Sequence, residues 1–223
     1  MTCIHHGFDP QTFFRESTPL PQEIRERLAP CSGAVKVLFV SHYNYYRNFE
    51  TLIRAIAIAR QRLHPRKIRL ILTCKFISKE NPGTYRAEAA RELVQKLTLD
   101  HEVVELGSIP YAALHHLYRA CDLYATPAYA ETFAHPLVEA MASGVPVIAS
   151  NLPVHREICG DAAVYFPRFS AESLAEQIGD LSNCELKRTA MREKGLERSR
   201  HFRWDKHVDA LLHLSQNLAN NTT

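Results

Sequence analysis

The sequence predicts a doubly wound α/β domain, in which a parallel sheet of about six strands carries helices on both faces and extra helices follow at the carboxyl end. Three observations lead to this fold class. Short apolar runs alternate with segments of helical periodicity from residue 33 onward. The runs are continuously apolar, as strands buried on both faces are. No low-complexity linker interrupts the series, and such alternation is typical of a parallel sheet covered on both faces.

The elements follow in order along the chain. The first thirty residues are expected to be irregular, with a turn at His5-His6-Gly7. Strands are predicted at 35–40, 68–74, 103–106, 122–126, 146–149 and 163–166. Helices are predicted at 49–63, about 84–97, 111–120, 136–143, about 171–182, 185–200 and 204–219. Asn48 is expected to cap the first helix. We therefore assign residues 1–32 to a lead segment, 33–217 to the domain and 218–223 to a disordered tail.

The composition limits the classes of protein to which this chain can belong. The chain has 223 residues, of which 46% are hydrophobic and 23% charged, as in soluble domains with a sizeable core. A net charge of +3 argues against a nucleic-acid platform. The sequence has no signal-peptide core and no apolar run long enough to span a bilayer, so we expect a cytoplasmic protein. Peripheral membrane contact is compatible with the sequence but is not indicated by it.

The cysteines and histidines do not indicate a disulfide frame or a metal site. The six cysteines include no Cys-x-x-Cys pair and are expected to be reduced thiols. The adjacent pairs His5-His6 and His115-His116 are poorly placed to converge on one ion, and no His-x-x-x-His motif stands beside a carboxylate. We therefore expect neither a metal nor another cofactor.

The stretch ETFAHPLVEAMASGVPVIAS, residues 131–150, contains the strongest candidate binding residues. Pro136 suits the first helical position, and the amides from Phe133 to Leu137 can point at an oxyanion at this helix start. Glu139 lies one turn into the helix among small and apolar residues, where a buried carboxylate needs donors such as vicinal ribose hydroxyls. The alternatives are an ordinary strand-to-helix connection and a surface acid that stabilises the helix.

The same stretch resembles the Glu-x7-Glu signature of the retaining, nucleotide-sugar-dependent glycosyltransferases of group 1. That family has the GT-B architecture of two Rossmann-like domains. VLFVSHYNYYRNFETLIRAI and LGSIPYAALHHLYRACDLYATPA are similar to other parts of its donor-binding domain, and the resemblance extends from residue 4 to about 215. CIHHGFD is similar to the family's interdomain segment. The chain thus resembles the C-terminal, donor-binding half, without the acceptor domain that precedes it in the family.

The resemblance implies a role for each matching residue. Glu139 would hold the ribose hydroxyls, and Glu131, the catalytic candidate, would lie beside the transferred sugar. The segment Phe133-Ala134-His135-Pro136-Leu137 would receive the sugar and diphosphate through backbone amides, and Ile109 would meet the nucleobase through its backbone. The family's diphosphate-binding arginine and lysine are replaced by His42 and Arg47. Ala134 stands where the family has glycine, which is compatible if φ is negative at this position.

These roles lead to the expected function and its alternatives. The resemblance implies transfer of a hexose from a nucleoside-diphosphate sugar to a saccharide, lipid or other acceptor with retention, as in cell-envelope polysaccharide synthesis. An alternative is a non-catalytic nucleotide-sugar-binding module that needs a separate acceptor domain. Either one would expose an apolar face that favours partner binding or self-association. A nicotinamide-dependent dehydrogenase would need Gly-x-Gly-x-x-Gly after the first strand, and SHYNYYRN contains no glycine.

Overall fold

The computed structural model describes residues 3–15, 17–77 and 86–220 and shows a parallel sheet with helices on both sides. Within these ranges the sheet has six strands in the order β3-β2-β1-β4-β5-β6. The strands are Val35–Phe39 (β1), Ile68–Leu72 (β2), Val103–Glu105 (β3), Leu123–Thr126 (β4), Val147–Ser150 (β5) and Ala163–Phe166 (β6). The predicted fold class is confirmed, and the predicted strands differ from the observed ones only at their ends.

The strand order places a crevice above the middle of the sheet. β1 pairs in parallel with β2, so that Val35–Phe39 lies opposite Ile68–Leu72. β4 pairs in parallel with the other side of β1, through Val37 and Leu38. The direction in which the chain adds strands therefore reverses between β1 and β4. In doubly wound sheets, the loops at the carboxyl ends of the two strands flanking such a reversal diverge and leave a ligand crevice.

The helices pack in two groups around the sheet. They are Pro10–Phe13 (α1), Gln22–Leu28 (α2), Phe49–Leu63 (α3), Glu88–Lys96 (α4), Tyr111–Arg119 (α5), His135–Ala142 (α6), Pro153–Cys159 (α7), Ala171–Asn183 (α8), Glu185–Ser199 (α9) and Trp204–Asn220 (α10). One group joins α3 to α4 and α8, and the other joins α6 to α5, α7 and α9. Among the described residues, no helix has both the length and the apolar character needed to cross a bilayer.

The lead segment and the tail differ from the predictions. The first thirty residues contain α1 and α2 and contribute Phe8, Phe13 and Ile24 to the core. Burial of these side chains stabilises the two helices although their local sequence signal is weak. The short helix α7 was not predicted either. α10 continues to Asn220, beyond the expected start of the tail at 218, whereas 221–223 lie outside the described residues. Residues 84–85 of the predicted helix at 84–97 also lie outside them.

Asn48 occupies the predicted cap position of α3, but its side chain does not make the expected capping bond. It has a left-handed backbone with φ of 55°, and its Nδ2 donates to the carbonyl oxygen of Pro127 at 3.1 Å. The side-chain amide of Asn48 therefore links the loop after β1 to the loop after β4. This link holds together the two loops that flank the crevice.

Gly7 lies where the lead segment contacts the start of α10. The Phe8 N–H donates to the Phe202 carbonyl at 3.0 Å, and His207 Nδ1 lies 2.7 Å from the carbonyl oxygen of His5. A Cβ added to Gly7 would lie 2.4 Å from the backbone nitrogen of Trp204. Because backbone atoms cannot move aside as a flexible side chain can, this contact requires glycine.

We expect Gly7→Ala to lower the free energy of unfolding by about 1–3 kcal/mol, the usual cost of overpacking a close contact. Denaturant unfolding followed by circular dichroism measures the change. Gly179→Ala in α8 is the matched control, since its new Cβ meets no atom within 4 Å. That variant should gain up to about 1 kcal/mol because alanine favours a helix interior over glycine. Equal stabilities for Gly7→Ala and the parent would contradict the close approach.

Candidate functional site

A cleft of about 920 Å³ opens at the carboxyl ends of the central strands. Three successive strand-to-helix loops form its wall, and the first turn of α6 closes one side. The lining residues from these elements include Ser41, His42, Arg47, Thr73, Lys75, Gly107, Ser108, Ile109 and Pro136. The cleft thus brings together four residues predicted from the sequence: His42, Arg47, Ile109 and Pro136.

Arg47 and Glu131 form an ion pair across the crevice. Their side chains are only 17% and 10% exposed, so the pair is largely removed from water. Arg47 Nε is buried without a hydrogen-bond partner among the described residues, and the guanidinium carbon lies 5.2 Å from the centre of the Tyr46 ring. The resemblance assigned both side chains to a ligand, whereas in the structure each one neutralises the other.

His42 is held with its Nε2 as a hydrogen-bond acceptor. The Asn44 side-chain oxygen accepts from the backbone N–H of Arg47 at 3.0 Å, which fixes the orientation of that amide. Asn44 Nδ2 then faces His42 Nε2 at 3.1 Å and must donate to it. Burial, followed by the nearby Arg47 guanidinium, lowers the pKa of His42. The neutral imidazole is therefore favoured, with its proton on Nδ1.

The start of α6 differs from the prediction at two residues. Ala134 has φ of 63°, so the condition of a negative φ for alanine in place of glycine is not met. The Leu137 N–H donates to the Ala134 carbonyl at 2.9 Å, and Leu137 must therefore be removed from the predicted set of free amides. Pro136 has no N–H to offer. The amides of Phe133, Ala134 and His135 remain as candidate donors to an anion at this helix start.

We expect Ala134→Gly to raise the free energy of unfolding by about 1 kcal/mol. Glycine relieves the cost of about 1–2 kcal/mol that a left-handed backbone imposes on a residue with Cβ. The greater entropy of glycine in the unfolded state offsets part of this gain. Ala140→Gly, in the interior of the same helix, is the control and should destabilise the protein by about 1 kcal/mol or more. Guanidinium unfolding of both variants checks the signs. A loss of stability in Ala134→Gly would show that the turn does not strain alanine.

Glu139 is buried within α6 behind Pro136. It is 5% exposed, and the Tyr118 hydroxyl donates to its Oε2 at 2.9 Å. Burial raises the pKa of Glu139 to about 7, although the Tyr118 bond opposes this shift. The predicted partly buried carboxylate is therefore present. One of its donors comes from the protein, and the group is close to half protonated at neutral pH.

Phe133 and His135 lie on the opposite side of the Glu131 loop from the cleft. The Phe133 ring centre is 5.3 Å from that of His6 and 5.5 Å from that of Phe202, so its side chain packs against the lead segment and the α9–α10 connection. His135 Nε2 lies 3.3 Å from His6 Nδ1. Only backbone atoms of this segment can therefore serve the cleft in this conformation.

Lys75 and Tyr118 are contributors to the site that the sequence did not indicate. Lys75 is the third residue after the end of β2 and lines the cleft. Its stem lies over Gly107, where an added Cβ would come within 3.2 Å of the Lys75 Cε. The sequence signal that could have indicated Lys75 is a lysine shortly after a buried strand next to β1. Tyr118 gave no signal, since its role depends on the packing of α5 against α6.

Comparison with known proteins shows similarity over most of the chain. A family model described as "Glycosyl transferases group 1" matches residues 22–198. The chain is 28% identical over 209 residues to a D-inositol 3-phosphate glycosyltransferase of Corynebacterium aurimucosum, covering 92% of this chain and 48% of that protein. The chain therefore spans about half the length of this curated relative.

Solved structures share the fold. Sucrose-phosphate synthase from Thermosynechococcus elongatus superposes with a TM-score of 0.76 at 22% identity, covering 98% of this chain and 52% of that one. Anabaena HepE, solved in complex with UDP and glucose, gives 0.74 at 21% identity, covering 97% of this chain and 56% of that one. At these identities the similarity establishes the fold, which is that of one half of a GT-B glycosyltransferase.

Proposed function

The chain belongs to the group 1 glycosyltransferases, and from this premise we propose that it forms the donor-binding half of a retaining hexosyltransferase that uses a nucleoside-diphosphate sugar. The observation that carries this proposal is that two cations, Arg47 and Lys75, line the cleft together with the first turn of α6 at the reversal point of the sheet. The same helix carries the buried Glu139. Cations and amides suit a diphosphate, and a buried carboxylate suits ribose hydroxyls. Anabaena HepE, which shares this fold, was solved in complex with UDP and glucose, and this supports a nucleotide-sugar ligand here.

In the proposed reaction each of these groups has a separate role. When the bond between the anomeric carbon and the diphosphate breaks, its electron pair remains on the diphosphate. Arg47, Lys75 and the amides of Ala134 and His135 would stabilise that growing charge. Glu131 would exchange its bond with Arg47 for contacts with the sugar as the guanidinium turns to the phosphates. No cofactor besides the donor is required, and Ile109 would border the base.

The acceptor side is also part of the proposal. α10 has no buried residue and exposes an apolar stripe. The stripe consists of Trp204, Val208, Leu211, Leu212 and Leu218. We propose that a separate acceptor domain covers this stripe, with self-association as the competing occupant. A cytoplasmic location is supported by the six cysteines, all of which are free thiols.

A second candidate is a nucleotide-sugar-binding module without catalysis of its own. The exposed stripe on α10 favours this reading as well, because it offers a docking surface for a partner protein. Transfer also requires an acceptor hydroxyl held against the anomeric carbon with water excluded. Whether transfer appears when an acceptor domain is supplied separates the two candidates.

Calorimetric titration of the chain with UDP, GDP and ADP, with and without attached hexoses, tests the donor site. We expect binding of at least one of these nucleotides, and no transfer from radiolabelled donors to lipid or saccharide acceptors by this chain alone. Addition of an acceptor domain from a relative should produce turnover if the first candidate holds. Failure of every nucleotide to bind would refute both candidates.

A further inference from the structure

Three side chains with metal-ligating atoms meet beside the lead segment and share no residue with the cleft. Cys3 Sγ lies 3.1 Å from Glu157 Oε1, and His5 Nε2 lies 2.7 Å from the same oxygen. The three ligand atoms all fall within 4.8 Å of one another, and the three residues are exposed. No metal site is expected from the sequence, because Glu157 on α7 is separated from Cys3 by 154 positions.

The cluster offers one carboxylate oxygen, one imidazole nitrogen and one thiol sulfur as ligand atoms. Metal ions bind the deprotonated forms of these groups, so an incoming cation must displace the thiol proton.

The three ligand atoms favour some metal ions over others. A thiolate and an imidazole favour zinc and similar ions over magnesium or calcium, which prefer oxygen ligands. Zinc bonds of about 2.0–2.3 Å in a tetrahedral site place ligand atoms roughly 3.3–3.7 Å apart. The observed separations of 3.1 and 2.7 Å lie within about 1 Å of that spacing. Exposed side chains can adjust by this amount through small rotations.

We propose that Cys3, His5 and Glu157 form a zinc site that fastens the lead segment to α7. On binding, the Cys3 thiol releases its proton to solvent and its sulfur donates an electron pair to Zn²⁺, with no change of oxidation state. The fourth position is filled by water. This site is separate from the proposed donor chemistry and takes no part in it.

The position of the site also links it to the Glu131 loop. A cavity of about 130 Å³ is lined by the three ligands together with Thr132 and Phe133. An ion held there would restrain the lead segment against the two residues that follow Glu131. Zinc binding should therefore stabilise the folded protein.

Titration of the full chain with Co²⁺ and Zn²⁺ under reducing conditions tests the proposal. Co²⁺ should produce thiolate-to-metal charge-transfer absorption that Zn²⁺ abolishes. Zn²⁺ at a hundredfold excess over its Kd should raise Tm by about 5–10 °C. Cys3→Ser should remove the absorption, and Cys3→Ser, His5→Ala and Glu157→Gln should each weaken Zn²⁺ binding at least tenfold.

The control variants separate this site from the other thiols, histidines and carboxylates. Cys184→Ser, His101→Ala and Glu172→Gln remove side chains of the same types outside the cluster and should bind both ions as the parent does. Circular dichroism confirms that every variant is folded. Absence of the charge-transfer band in the parent, or its persistence in Cys3→Ser, would overturn the proposal, since Zn²⁺ would then be held by side chains elsewhere or not at all.

Discussion

Glu139→Gln is expected to weaken nucleoside-diphosphate binding by about 1.5–3 kcal/mol, the usual value of a hydrogen bond to a charged group. Under the proposed function, ribose hydroxyls donate to this buried carboxylate alongside Tyr118, and the neutral amide of glutamine would accept these bonds more weakly. Calorimetry with the nucleotide that binds the parent measures the loss. Unchanged affinity would remove Glu139 from the site, whereas Glu176→Gln on the surface of α8 should have no effect.

The same variant should alter the pH dependence of affinity. Unliganded Glu139 has a pKa of about 7, and the ribose-binding form is the carboxylate. Affinity should therefore rise with pH below about 7 and level off above it, after correction for the titration of the diphosphate. In Glu139→Gln the rise should disappear. Burial lowers the pKa of His42, which favours its neutral form.

The free energy of unfolding should fall as pH rises, whereas the affinity for the nucleotide should increase. The pKa of Glu139 is raised from 4.5, the ordinary value for glutamate, to about 7 in the folded protein, so the folded state binds more protons between these values. Its contribution to stability is present below about pH 4.5 and is lost as pH rises through about 7. At pH 8 the ionised group costs about 3 kcal/mol. Glutamine cannot ionise, so Glu139→Gln should be the more stable protein at pH 8 and close to the parent at pH 5.

Arg47→Met is expected to destabilise the protein by about 3–5 kcal/mol, because it leaves the Glu131 carboxylate buried without its partner. The double variant Arg47→Met/Glu131→Gln should recover most of this loss. Arg54→Met is the matched control, since Arg54 pairs with Glu50 on an exposed helix surface. That pair is worth about 0.3–0.5 kcal/mol. Urea unfolding of the parent, Arg47→Met, Glu131→Gln, the double variant and Arg54→Met completes the comparison, and additive effects at Arg47 and Glu131 would show that the two charges do not interact.

The sheet and its long helices could be predicted because their signals are local. The bounds of α3 agree with the prediction, since its buried positions recur at helical spacing on one face. α1, α2 and α7 are too short to show periodicity, and each begins at or next to a proline. Their helical state depends on the core contacts of residues such as Phe13 and Ile158.

The sequence proposed a set of site residues but not their arrangement. The resemblance assigned Arg47 and Glu131 each to a ligand, whereas in the structure the two side chains pair with each other. The left-handed turn at Ala134 could not be inferred, because alanine gives no sign of a positive φ. Tyr118 and the Cys3 cluster depend on contacts between distant parts of the chain.

The exposure of α10 has a consequence for its helix–coil equilibrium. The helix spans 17 residues and has no buried side chain, so its helicity depends mainly on local propensity. Isolated helices shorter than about 12–15 residues are marginal in water even when they are rich in alanine, and α10 is only slightly longer and not rich in alanine. Whatever covers the stripe at Val208, Leu211 and Leu212 would therefore supply part of the folding free energy of the helix, and part of its binding energy would be used in ordering these residues. Amide exchange along α10 should slow when that surface is occupied, while exchange in β1 remains unchanged.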